Sequence, residues 1–118
     1  MNQSQDISPE LTNAIDAASV ALIAGKLIGI PTETVYGLAA DATKGQAVAG
    51  IFEAKGRPQF NPLIVHVASV EQAKQFVTHI PDVAAQLMDT FWPGALTIIL
   101  ESNGRAYSLV TAGLDTIG

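Results

Sequence analysis

IFEAKGRPQFNPLIVHV, Ile51 to Val67, changes its period in the middle. Ile51 and Phe52 continue a helical pattern with Val48 that starts near Gly45, so the spacing predicts a helix from about Gly45 to Ala54. Gly56 and Pro58 stop it, the glycine by its freedom beyond a helix end and the proline by its missing N–H. From Pro62 to Val67 the run PLIVHV is short, apolar and rich in β-branched residues, which predicts a strand. A helix handing over to a strand across a Gly-Arg-Pro break is a unit of a layered α/β domain. Lys55 falls at the helix C-terminus and Arg57 just beyond it.

The pattern repeats outward in both directions. Residues 1–7 read as a polar arm; Ser8 suits an N-cap with Pro9 at the first helical position, and Leu11, Ile15, Ala18 and Leu22 recur at helical spacing until Gly25. This predicts a helix over Pro9 to Ala24. Lys26 to Pro31 reads as a buried strand, followed by the loop PTET. On the other side, Ser69 and Gln72 have capping-box spacing, predicting a helix through about Val77. Pro81 opens a further helix with the apolar stripe Val83, Ala84, Leu87, Met88 and Phe91, ended by Trp92-Pro93-Gly94. Ala95 to Leu100 reads as a strand, Glu101 to Arg105 as a polar turn, Tyr107 to Thr111 as another strand, and Thr116 and Ile117 as the opening of one more. The expected architecture is a single α/β layered domain, its sheet flanked by helices. It is expected to continue beyond residue 118, because the last residues open a strand.

The chain has 118 residues, with 48% hydrophobic and 14% charged side chains, which argues against intrinsic disorder. No apolar run reaches the roughly 20 residues of a membrane span, and the acidic N-terminus lacks a signal-peptide core. A soluble, cytoplasmic chain is expected. Having no cysteine, it has no disulfide, thiolate zinc site or cysteine nucleophile. Eleven acids against six bases disfavour a broad grip on nucleic acid, leaving a local cationic pocket as the place to look.

Lys55 and Arg57 supply such a place: a compact ammonium and a planar fork that together suit a polyphosphate. The same lysine could serve merely to complement the helix dipole at its C-terminus. Thr32 and Thr34 flank Glu33 in a loop after a buried strand, where hydroxyls either orient a small polar ligand or build the turn themselves. His66 alternates with Val65 and Val67, either as a ligand-binding side chain or as a packed one. Tyr36, Phe91 and Trp92 could stack on a base or close the core. His79 is read as structural. No phosphate-binding loop, dinucleotide fingerprint, nucleophile elbow or zinc helix occurs.

Four ordered blocks carry a resemblance: GIPTETVYGLAADA (Gly29 to Ala42), IFEAKGRPQFNPLIVHV, FWPGALTIIL (Phe91 to Leu100) and VTAGLDTIG (Val110 to Gly118). With Lys55, Gly56 and Arg57 as its KxR signature, the chain resembles the YrdC/Sua5 family of threonylcarbamoyl-AMP synthases. The resemblance implies a YrdC-like layered domain with a twisted mixed sheet. It also implies a nucleotidyltransferase that makes threonylcarbamoyl-adenylate and pyrophosphate from L-threonine, bicarbonate and ATP. A threonylcarbamoyl transferase complex then passes the group to tRNA. By position, Lys55 and Arg57 would bind the triphosphate, with Arg57 also reaching the substrate carboxylate. Thr32 and His66 would line the threonine pocket, Thr34 and Tyr36 would shape its floor, and Thr116 would sit near the nucleotide. Mg²⁺ would be held mainly by ATP phosphates, with no protein ligand.

The family also carries an arginine-proline segment after its TIG-type strand and a later SxN loop, neither of which occurs here. Weak or absent activity of the 118-residue form and some exposed apolar sheet edge are therefore expected. Two other readings stay open: the related carbamoyl-transfer domain of hydrogenase maturation proteins, and a non-catalytic RNA-binding module.

Overall fold

The computed structural model describes residues 8–56 and 62–118. Helix α1 (Pro9–Ile23) begins where the Ser8 hydroxyl accepts the Leu11 N–H at 3.1 Å, and it ends before Gly25, whose φ of 82° few other residues adopt. Strands β1 (Ile28–Ile30) and β2 (Gly37–Ala39) then form an antiparallel hairpin with Ile28 opposite Ala39 and Ile30 opposite Gly37. The second strand was not foreseen. Its residues are too few and too small to show a period, and only pairing with β1 defines it.

Helix α2 (Gly45–Lys55) lies where expected and ends on Gly56 at φ 60°. Its inner face, Ala47, Val48, Ile51 and Phe52, is buried. Val48 and Phe52 join Ala106, Val110 and Ile117 in the core, against which Leu63, Val65, Phe76, Val77 and Leu109 pack. Burying such side chains gains about 1.5 to 3 kcal/mol each, so α2 organises the interior.

Several elements differ from expectation. Residues 62–67 run extended without forming a ladder: the Leu63 N–H donates to Val110 O at 2.7 Å and the Val65 N–H to Gly118 O at 2.9 Å. The alternation nonetheless holds, with Leu63, Val65 and Val67 half-buried and Ile64 and His66 exposed. Helix α3 (Val70–Ala73) keeps its cap, the Ser69 hydroxyl accepting the Gln72 N–H at 3.1 Å, but stops well before Val77. Val77 is drawn instead into a bridge with Ser102, and the Thr78 N–H donates to Glu101 O at 3.1 Å.

Helix α4 (Asp82–Phe91) buries only Ala84 and Met88 of its stripe; Val83, Leu87 and Phe91 are exposed. Of the run 95–100 only its end is paired, as β3 (Leu100–Glu101) against β4 (Thr116–Ile117). The predicted strand 107–111 is a set of turns. The Val110 N–H donates to Tyr107 O at 2.8 Å and the Gly113 N–H to Ser108 O at 3.1 Å. Local strand preference yields there because the turn places Val110, 2% exposed, into the core while its backbone groups bond one another. The α/β class stands, with the described pairing confined to two short antiparallel sheets and the isolated Val77–Ser102 bridge. Among the described residues, no helix is long and apolar enough to cross a membrane.

Candidate functional site

A cavity of about 450 Å³ opens between the extended segment 64–68, the start of α3, the end of α4 with the turn after it, and the β3–β4 pair. That volume is in the range of small-molecule sites, roughly 300 to 1,000 Å³. Val65, Val67, Phe76, Met88, Trp92, Leu96 and Ile117 supply apolar walls, and Glu33, His66, Ser69, Asp89 and Thr97 supply polar groups. The wall at α4 is held by its own turn. The Trp92 indole N–H donates to Leu96 O at 2.9 Å, and the Trp92-Pro93 peptide is cis.

Of the residues singled out from the sequence, His66 lines this cavity. Its exposed imidazole has no hydrogen bond or ion pair with another described residue, so both ring nitrogens are available to a ligand. Thr32, Thr34 and Tyr36 are not among the lining residues, although their neighbour Glu33 is. The Thr32 hydroxyl is the hub of the hairpin turn: it donates to Val35 O and accepts the N–H groups of Thr34 and Val35, each at 3.2 Å. Since its one proton is used on Val35 O, the contact at 3.3 Å between the two threonine hydroxyls has Thr34 as donor. In this arrangement the hydroxyls build the turn. Tyr36 is 81% exposed beyond it.

Lys55 stands exposed at the last position of α2 and outside the cavity wall. Thr116 is exposed while its neighbour Ile117 is buried and lines the cavity, as strand alternation requires. The Arg57 assignment lies outside the described residues. Sequence reasoning missed Asp89 altogether and left Glu33 without a role. Asp89 looks like an ordinary polar position between two stripe residues, and it stays exposed where it lines the cavity. The signal for the opposite wall was present in FWPGALTIIL, because Trp92 to Ile98 line it.

The electrostatics nearby are local. Asp41 accepts from the Thr43 hydroxyl at 2.7 Å and the Thr43 N–H at 2.9 Å. The hydroxyl bond chiefly, then the backbone bond and the nearby Lys44 charge, hold its carboxyl below the ordinary value against a smaller opposing effect of burial. This turn leads directly into α2. Among the described residues, no three His, Asp or Glu side chains gather as a metal cluster.

The cavity, apolar-walled with a few polar groups, is a candidate small-molecule site on an α/β scaffold. The Sua5_yciO_yrdC family model, described as telomere recombination, matches residues 20–118, and the chain belongs to that family. It is 52% identical over 93 residues to the threonylcarbamoyl-AMP synthase of Pyrococcus abyssi, covering 79% of this chain and 27% of the relative. Against the threonylcarbamoyl-AMP synthase of Bacillus subtilis it is 47% identical over 116 residues, covering 95% of this chain and 34% of the relative. The crystal structure of P. abyssi Sua5 complexed with L-threonine superposes with a TM-score of 0.87 at 45% identity, over 96% of this chain and 32% of the other. The chain thus spans about a third of the length of these relatives.

Proposed function

We propose that this chain carries part of a threonylcarbamoyl-AMP synthase, which joins L-threonine, bicarbonate and ATP into threonylcarbamoyl-adenylate with release of pyrophosphate and water. The observation that carries the reading is the 45% identity, over 96% of the chain, to a relative described in complex with L-threonine. A cavity of amino-acid scale with His66 on its wall supports it.

In this reading the carbamate of threonine attacks the α-phosphate, and the chemistry requires alignment and neutralisation of phosphate charge more than covalent help. Lys55 and Arg57 supply that charge to the triphosphate, and Arg57 also reaches the substrate carboxylate. His66 and Thr32 hold threonine, with Thr34 and Tyr36 shaping the floor, and Thr116 lies toward the nucleotide. For Thr32 and Thr34 to reach a ligand, their turn bonds must be exchanged for ligand bonds. Mg²⁺ would be held mainly by the ATP phosphates, without a protein ligand, and would supply charge neutralisation there. A threonylcarbamoyl transferase complex and tRNA are the downstream partners.

The test is pyrophosphate release with ATP, Mg²⁺, bicarbonate and each amino acid in turn, by the chain joined to the arginine-proline segment and SxN loop of the family. Release that depends on threonine, and that Lys55→Ala and Arg57→Ala abolish without unfolding the chain, is the expected result. Tight RNA binding with neither threonine-dependent release nor threonine binding would contradict the proposal.

A further inference from the structure

We propose that Asn103-Gly104 is a covalent modification site: a spontaneous deamidation point that the folded turn holds closed, and whose conversion to a carboxylate opens the clasp between β3 and the segment after α3. Asn103 is followed by a glycine, whereas Asn2, Asn13 and Asn61 precede Gln3, Ala14 and Pro62. Glycine puts no side chain in the path of its own backbone nitrogen, which can then approach the preceding Asn Cγ. In that step the Gly104 nitrogen gives up its proton and bonds to Cγ, the Cγ–Nδ2 bond breaks, and ammonia leaves. Water then opens the resulting succinimide at either carbonyl, giving aspartate or the isomer whose main chain runs through the side-chain carboxyl.

The turn needs this pair of residues for its shape. Gly104 has φ 84°, and Asn103 Oδ1 accepts the Arg105 N–H at 2.9 Å, the bond by which an asparagine closes a turn on its own backbone. The same turn keeps the reacting atoms occupied. Asn103 Nδ2 donates to Gln75 O at 2.8 Å, so the side-chain amide is fixed at both ends. The Gly104 N–H donates to the Ser102 hydroxyl at 3.1 Å, so the attacking nitrogen is engaged as well. Reaction therefore waits on local opening of an otherwise exposed turn.

Asn103 also ties two distant stretches of chain together. Its backbone N–H donates to Phe76 O at 3.0 Å, next to the Nδ2 bond to Gln75 and the Val77–Ser102 bridge. A carboxylate at this position only accepts, and opposite Gln75 O it replaces a donor with another acceptor. Phe76 and Val77 line the cavity, so a loosened clasp reaches the cavity wall.

Ageing the whole chain at mildly alkaline pH, folded and in denaturing guanidinium chloride, tests this with peptide mass spectrometry and isoaspartate detection. Conversion at Asn103 is expected to be at least about tenfold faster in the denatured chain, and far slower at Asn13 in both states. In the folded chain Ser102→Ala is expected to speed conversion about threefold to fivefold, while Ser102→Thr, which keeps the hydroxyl, stays near the parent. Asn103→Asp is expected to melt roughly 4 °C lower than the parent. Equal rates in the folded and denatured chain, or a Ser102→Ala rate equal to the parent's, would overturn the gating by the turn. No conversion at Asn103 in the denatured chain would remove the site, and unchanged melting of Asn103→Asp would overturn the clasp.

Discussion

Helices α2 and α4 both carry apolar stripes, the sharper one on α4, yet they meet different fates. In α2 the stripe is buried: Val48 is 1% exposed and Phe52 4%. In α4 only Ala84 and Met88 are inside, while Val83 is 65% exposed and Phe91 55%. A period of 3.6 residues shows which side chains share a face, but only neighbouring elements decide whether that face is covered. The core at α2 is closed by Ala106, Val110 and Ile117 from the far end of the chain. Of the two buried residues of α4, Met88 lines the cavity instead.

The same substitution in the two helices breaks or confirms this contrast. Val48→Ala removes buried methyl groups and leaves a void, so a loss of about 2 to 3 kcal/mol is expected from denaturant unfolding. Val83→Ala removes exposed groups and improves helix propensity, so the change should stay within about 0.5 kcal/mol. Equal losses at both positions would show that α4 is packed as tightly as α2.

The turn after α4 has its own sensitivity. A Cβ at Gly94 would lie 2.5 Å from Phe91 O, a backbone atom that cannot swing aside. Gly94→Ala is expected to cost about 1 to 3 kcal/mol, the usual range for forced overpacking, and to lower ligand affinity by displacing the Trp92 wall. Unchanged melting and binding would mean that this turn has slack, and with it the cavity wall.

The smallest effect belongs to the turn before α2. The folded-state pKa of Asp41 is depressed, so its contribution to stability is complete above the unfolded value and lost as pH falls through the folded one. Asp41→Asn should therefore be less stable than the parent at neutral pH, with the gap closing as acid protonates Asp41. Thermal melts across pH 7 to pH 2 would show it, and a gap constant over that range would contradict the carboxylate's role.

These contrasts also explain what the sequence made legible. Caps and stops depend on neighbours three or four residues away, so Ser8, Ser69, Gly25 and Gly56 mark helix ends as read. Partners distant in the chain defeat local reading: β2 exists only through β1, α3 is cut short by the Val77 bridge to Ser102, and 107–113 turns because Val110 is needed in the core. In the candidate site, His66 was visible because its strand-like alternation survived. Asp89 was not, because nothing in an exposed carboxylate on an amphipathic helix shows which wall it joins.

The most direct measurement of the central claim is a backbone and side-chain NMR titration of the chain with L-threonine. The account predicts shift changes concentrated at His66, Ser69, Asp89 and the Trp92 indole N–H, with the α2 core at Val48 and Phe52 unmoved. Threonine-induced changes confined to surfaces away from these residues, or no change up to saturating threonine, would contradict it.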